Sequence, residues 1–311
     1  MNFLASDEMH GRGSATRDEH LAALFAASQF QALGLEPGGD NGSFIQKTAL
    51  PDPLPPRLEQ RLSKYEQTPR KETWNAIAIL RGSSSPHEVV LLTAHLDHLG
   101  IGPAQNGDTI YNGADDDASG TTAVLALAHK LATGARPKRT IVFALFGTEE
   151  IGGYGNRAFL MHPPVPLSEI VANLEFEMIG RPDSAVPAGT LWLTGFERSN
   201  LGPELAKHGA RLVNDPHLKE DFFQRSDNFA LARQGIIAHT VSSFGLHKDY
   251  HQASDEIGTI DFRHMTNAIQ SMEVPVRWLA DSTFKPAWNP GMNPQKAPTS
   301  DFKAAPPPPN H

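Results

Sequence analysis

The sequence predicts an α/β fold: a mixed, mostly parallel central sheet flanked by helices on both faces. Two observations carry this expectation. Short apolar runs of strand length alternate with segments of helical period along most of the chain. Acidic residues and histidines fall just after several of those runs, at the carboxyl ends of strands, where open α/β sheets bind their ligands.

The elements follow in order. Residues 17–34 place Leu21, Leu24, Phe25, Ala27, Phe30 and Leu33 at helical spacing and stop at Gly34. Residues 50–71 are rich in Pro and charge and read as a loop or an edge element. Trp74 to Leu80 alternates as a strand does. Glu88 to Ala94 is a short apolar strand that runs into His95-Leu96-Asp97. A loop carrying Gly100, Gly102, Gly107 and Gly113 comes next. Ser119 to Ala132 is expected to be a helix entered from an Asp-rich turn. Thr140 to Phe146 is a buried strand ending in Gly147-Thr148-Glu149-Glu150. Residues 154–161 read as helical. Ile170 to Phe176 is a strand ending near Glu177. Leu191 to Thr194, Leu201 to His208 and Ile236 to Val241 continue the alternation, and Phe262 to Leu279 is a final helix. One domain is expected over residues 1–285. The Pro-rich remainder, 286–311, is expected to be an extended tail.

The chain has 311 residues, enough for a sizeable core. Its formal net charge is −8 with no basic run, which argues against nucleic acid as a partner. It has no cysteine, so disulfides, thiol catalysis and Cys-ligated zinc are excluded. No apolar run approaches the roughly 18 residues of a membrane span, and Met1-Asn2-Phe3-Leu4 leads directly into polar residues rather than a signal peptide.

His95 and Asp97 end one strand, Asp115, Asp116 and Asp117 start a helix, Glu149, Glu150 and Glu177 follow two more strands, and His251 lies in a polar loop after the last. Carboxylates that converge repel one another unless a cation lies between them. Imidazole and carboxylate together suit zinc or a similar divalent ion. Two histidines and three carboxylates exceed one catalytic zinc. They fit two ions about 3.5–4 Å apart that share a carboxylate. Each element also has an ordinary reading, since an Asp triplet caps a helix and a Glu pair decorates a surface.

The stretches Thr93–Asp97, Gly113–Gly120 (Gly-Ala-Asp-Asp-Asp-Ala-Ser-Gly), Thr148–Gly153, Gly155-Asn156-Arg157, Ser226-Asp227 and Tyr250-His251 with Asp255 together resemble the M28 family of co-catalytic zinc peptidases. So does the entry segment Leu4–Glu8 with Gly11-Arg12-Gly13. The resemblance covers roughly residues 3–285. It implies a zinc-exopeptidase-like fold and two zinc ions that activate a water between them. Asp116 would bridge both, with His95 and Glu177 completing one site and Glu150 and His251 the other. Glu149 resembles the general base, Tyr250 the oxyanion donor, and Asp97 a carboxylate that orients His95. The Asp116–Asp117 peptide resembles one that is cis in the family.

One departure stands out. The family usually places Asp before Met-Ile-Gly, and here Glu177 precedes Met178-Ile179-Gly180. Glu175 is a fallback ligand, and His98, His247 and Asp115 are rivals of second rank. The expected activity is an aminopeptidase acting on peptides. A carboxypeptidase or dipeptidase is the alternative, with Arg181, Arg225 or Lys248 to receive a terminal carboxylate. Glutaminyl cyclase and a non-catalytic binding module are the rivals from other classes. Phe222, Phe223, Phe229 and Phe244 offer walls for a side-chain pocket. Secretion or periplasmic export is what the resemblance implies. Oligomeric state is open.

Overall fold

The computed structural model describes residues 1–66, 68 and 70–296. A short 3-10 segment, Asp7–Arg12, leads into α1 (Arg17–Ala32). Thr16 caps this helix by accepting the Asp18 amide on its side chain, and the stripe Ala22, Ala23, Ala26 and Phe30 is buried at helical period. There follow β1 (Glu36–Pro37), β2 (Ile45–Ala49), α2 (Pro56–Leu62), β3 (Glu72–Leu80), β4 (Ser85–His95), β5 (Gly100–Gln105) and β6 (Asp108–Tyr111). The chain continues through α3 (Gly120–Ala132), β7 (Arg139–Phe146), α4 (Tyr154–Met161), β8 (Ile170–Phe176), β9 (Leu191–Leu193) and α5 (Leu201–Lys207). It closes with β10 (Leu212–Asn214), α6 (Asp227–Arg233), β11 (Ala238–Ser242) and α7 (Phe262–Asp281).

The main sheet has the order β1-β3-β7-β4-β8-β11-β9-β10, with β2 also paired to β3. Its centre, β7-β4-β8-β11, is parallel, and β3 and β9 join that centre antiparallel. This is the mixed, mostly parallel sheet the sequence predicts. Strand residues alternate between two cores. Ala76 and Ala78 of β3 and Val90, Leu92 and Ala94 of β4 face the layer of α1, α3, α5 and α7. Ile77 and Ile79, with Val89 and Leu91, face Phe159 of α4 and Leu231 and Ala232 of α6. Burying each such aliphatic side chain stabilises the fold by about 1.5–3 kcal/mol, so the centre of the sheet is rigid on both faces.

Two segments differ from the sequence expectation. Residues 100–111, read as a glycine-rich loop, form the antiparallel β5–β6 hairpin. Its turn is Asn106-Gly107, both at positive φ (53° and 95°), as a two-residue hairpin turn requires. Segment 50–71 carries α2, whose Leu58 and Leu62 pack with Leu50, Ala15 and Ile151. Beyond residue 285, Trp288 bridges to Ser199, rests against Phe223 and His239, and donates its indole N–H to the Gly235 carbonyl at 3.1 Å. Residues 297–311 of the expected tail lie outside the described residues.

Candidate metal centre

Five chain segments bring acidic and histidine side chains to one edge of the sheet. They are the carboxyl ends of β4, β7 and β8, the turn entering α3, and the loop after β11. Two groups of ligand-type atoms form there and share Asp116. His95, Asp116 and Glu177 make one, and His98, Asp116 and Glu150 the other, with the atoms of each group within 4.8 Å of one another. His95 Nε2 lies 3.1 Å from Asp116 Oδ1. His251 Nε2 lies 3.1 Å from both Asp116 Oδ2 and Glu150 Oε1.

The arrangement suits cations rather than hydrogen bonds. His95 Nε2, Asp116 Oδ2 and Glu150 Oε1 are buried, and among the described residues none makes a well-directed hydrogen bond. Leaving a buried polar atom without a directed partner costs roughly 1–3 kcal/mol, a cost that a cation held by these groups would relieve. His95 is also set in the correct tautomer. Its Nδ1 lies 3.1 Å from the Asp97 carbonyl, which can only accept, so Nδ1 carries a proton and Nε2, facing Asp116, is the nitrogen available to a metal.

A second set of acids builds the walls. Asp117 accepts the amides of His95 (3.2 Å), Gly120 (3.0 Å) and Met178 (3.1 Å), tying β4, α3 and the end of β8 together. Asp255 accepts the amides of Asp115 and Asp116, and Asp115 Oδ1 accepts the Gly180 amide at 2.7 Å. Glu19 accepts the amides of Ala15, Trp74 and Thr148. The scaffold is held in costly backbone conformations. Thr148 (φ 59°), Met178 (φ 51°) and His251 (φ 57°) are non-glycine residues in the left-handed region. Each costs on the order of 1–3 kcal/mol and persists because its neighbours over-determine it. The Asp116–Asp117 peptide is cis.

The carboxyls titrate in opposite directions. Burial works against ionisation of Asp116 and Glu150, but the imidazoles of His251 and of His95 or His98 outweigh it and hold both below the usual carboxylate range. Burial pushes Glu149 well above that range, with Glu150, Asp227 and Glu177 adding to the shift. Glu177 is raised by burial as well. His251 is raised to about 9, its burial opposed by Glu150 and Asp116. Tyr250 lies stacked on His251 at 3.9 Å, and burial together with Asp116 and Glu150 keeps its phenol protonated far above 10.

All eight residues proposed from the sequence meet at this edge, with two refinements. The Asp97 carboxylate is 3.8 Å from His95 Nδ1. It accepts instead the amides of Glu149 (3.0 Å) and Glu150 (3.3 Å) and the Ser14 hydroxyl (2.6 Å), so the Asp97 carbonyl, not its carboxylate, orients the ring. His98, ranked second in the sequence, reaches the centre directly. The remaining rivals do not. His247 bonds Asp115 Oδ2 at 2.9 Å, and the Glu175 carboxylate accepts the Asn228 amide and the Thr240 hydroxyl.

Two arginines were not singled out as site residues. Buried Arg12 donates to the carbonyls of Leu96, Asn112 and Gly113, clamping the N-terminal segment to the two ligand loops. Arg61 of α2 donates to Glu150 Oε2 at 2.9 Å. Only the motif fragment Gly11-Arg12-Gly13 hinted at the first. Beside Glu177 lies a small pocket of about 30 Å³ lined by Met178, Trp192, Phe222, Phe244, Tyr250 and Arg225.

The model of peptidase family M28 matches residues 75–273. An aminopeptidase of Pseudomonas aeruginosa is 36% identical over 115 residues, covering 37% of this chain and 19% of that protein. A vacuolar membrane protease of Clavispora lusitaniae is 29% identical over 170 residues, 55% of this chain and 14% of that protein. The chain thus spans less than a fifth of the length of these curated relatives. Among solved structures, a zinc aminopeptidase from Bacillus subtilis superposes with a TM-score of 0.67 at 16% identity, covering 90% of this chain and 93% of that one. A glutaminyl cyclase from Porphyromonas gingivalis gives 0.63 at 16% identity, with 88% and 94% covered.

Proposed function

The chain belongs to peptidase family M28, and from that membership we propose that it is a zinc-dependent aminopeptidase releasing N-terminal residues from peptides. The observation that carries this reading is the pair of ligand groups sharing Asp116, with unpartnered buried atoms facing one another. His95 and Glu177 would hold one zinc, Glu150 and His251 the other, and Asp116 both. Bound zinc would polarise the scissile carbonyl and bring the pKa of water toward about 7.

The side chains do the rest. Glu149 is the general base. Its burial raises its proton affinity, so it can take a proton from the attacking water and return it to the departing amine. Tyr250, kept protonated by its surroundings, donates a hydrogen bond to the developing oxyanion. Glu177 borders the aromatic pocket, so its carboxylate can receive the substrate's α-ammonium while Phe222, Phe244 and Trp192 enclose the first side chain. Arg181 is engaged by Asp249 at 2.9 Å and by His247 at 3.0 Å, which removes it from recognition of a terminal carboxylate.

Cleavage of aminoacyl anilides and of their N-acetylated counterparts by the zinc-loaded chain tests this reading. Turnover of the free amines alone is the expected result. Release of C-terminal residues from blocked peptides would replace it with a carboxypeptidase, and cyclisation of N-terminal glutamine with a cyclase. Export to the periplasm or medium is part of the proposal. Its test is fractionation of the source cells. Among the described residues no helix is long and apolar enough to cross a membrane.

A further inference from the structure

We propose that His98 is itself a metal ligand, so that the ion held by Asp116 and Glu150 is bound by two imidazoles, His98 and His251. This rests on the dizinc reading above and extends its ligand set.

The His98 ring is fully buried, and among the described residues neither ring nitrogen makes a well-directed hydrogen bond. A neutral imidazole has one donor and one acceptor. Burying them without directed partners is unfavourable, and a cation bound at Nδ1 would relieve it there. Its Nδ1 lies 2.9 Å from Glu150 Oε1 and 3.7 Å from Asp116 Oδ2. Those two oxygens are themselves unpartnered. One cation among them would satisfy three stranded atoms at once, which a hydrogen bond between any two would not.

The ring is held rigidly in that orientation. The main chain of His98 forms a bridge with Gly13. Its N–H donates to the Arg12 carbonyl at 3.0 Å, and its carbonyl accepts the Ser14 amide at 3.0 Å. Behind the ring sits Gly113 at φ 56°, where a Cβ would come 2.5 Å from His98 Cγ. A side chain at 113 would therefore displace the imidazole. Arg12 fixes both walls of this slot, since it bonds the Gly113 carbonyl as well as that of Leu96. The His98 and His251 rings meet edge to face at 5.6 Å, so both approach the same pair of oxygens.

The two ions are then held unequally. The site at Glu150 has four donors: His98, His251, Glu150 and Asp116. The site at Glu177 has three: His95, Glu177 and Asp116. Four protein ligands close a tetrahedral zinc, and three leave a position open. The Glu150 site is the tightly retained one, and the Glu177 site, next to the pocket, is the exchangeable one facing substrate.

A crystal structure of the zinc-loaded full chain, with anomalous data at the zinc edge, tests this directly. The expected result is a zinc peak about 2.0–2.1 Å from His98 Nδ1. In competition titrations with a chelator, His98→Ala is expected to weaken the tighter of two zinc affinities by more than about 100-fold, beyond the usual loss for a residue that only orients a ligand. The weaker affinity should hold. Two zinc peaks with His98 donating to Glu150 and remaining out of bonding range would overturn the proposal while leaving the dizinc reading intact. A native chain that binds no zinc would overturn both. The native crystal needs no variant, so a His98→Ala chain that failed to fold would not blunt the test.

Discussion

Two sets of carboxylates meet at the same sheet edge, and the fold treats them in opposite ways. Asp117, Asp255, Asp97 and Glu19 have their oxygens filled by main-chain amides. Asp116 and Glu150 each keep a buried oxygen that, among the described residues, accepts no well-directed hydrogen bond and meets only imidazole nitrogens. A carboxylate saturated by amides fixes the backbone and owes nothing to an ion. A stranded one is a cost to the fold that a cation relieves. Within the Asp115–Asp117 triplet both treatments occur on adjacent residues, so proximity to the site does not make an acid a ligand. Satisfaction of its lone pairs is what separates scaffold from ligand.

The largest effect that sharpens the contrast is expected at Asp116. Asp116→Ala should lose zinc from both proposed sites and abolish the proposed aminopeptidase turnover, read by metal analysis and a steady-state assay, while altering apoprotein stability less than a change at Asp117. Glu149→Gln comes next. It should retain zinc and lower kcat by roughly 10²–10⁴-fold, and near-native turnover in that variant would remove Glu149 from its role.

Asp117→Ala should behave in the reverse sense. It strands three buried amides, and at about 1–3 kcal/mol for each stranded group the apoprotein should lose roughly 3–9 kcal/mol, read from the urea midpoint. Apoprotein as stable as the native chain would erase the distinction between the two sets.

The smallest effect lies away from the edge. His239 in β11 is buried and pushed down to about 4 by desolvation, against an ordinary 6.5. Its folded pKa is depressed, so the stability it contributes is complete above 6.5 and is lost as pH falls toward 4. The loss amounts to at most about 3 kcal/mol. Apoprotein melting across that window should show it, and His239→Gln should flatten that part of the curve.

Much of this was legible in the sequence because strand-end chemistry is local. Each of His95, Asp116, Glu149, Glu150 and Glu177 directly follows an apolar run or opens a helix, so period and motif together place them. What stayed hidden is long-range. Arg12 acts through carbonyls 84 and 101 residues away, and nothing in its neighbours announces that. Arg61 sits on a helix inside a Pro-rich stretch that reads as a loop. Asp97 shows the limit of spacing: its position beside His95 was readable, but whether its carboxylate or its carbonyl meets the ring depends on where the Glu149 and Glu150 amides lie. The hairpin at 100–111 did carry its signal, Asn106-Gly107, among other glycines that pointed to a loop.

The contrast rests most directly on how many zinc ions the native chain holds after loading with zinc and dialysis into metal-free buffer, measured by plasma emission against protein concentration. Two ions per native chain, and none per Asp116→Ala chain, is the expected result. One ion per native chain, or zinc bound equally by native chain and variant, would contradict a centre built around a shared Asp116.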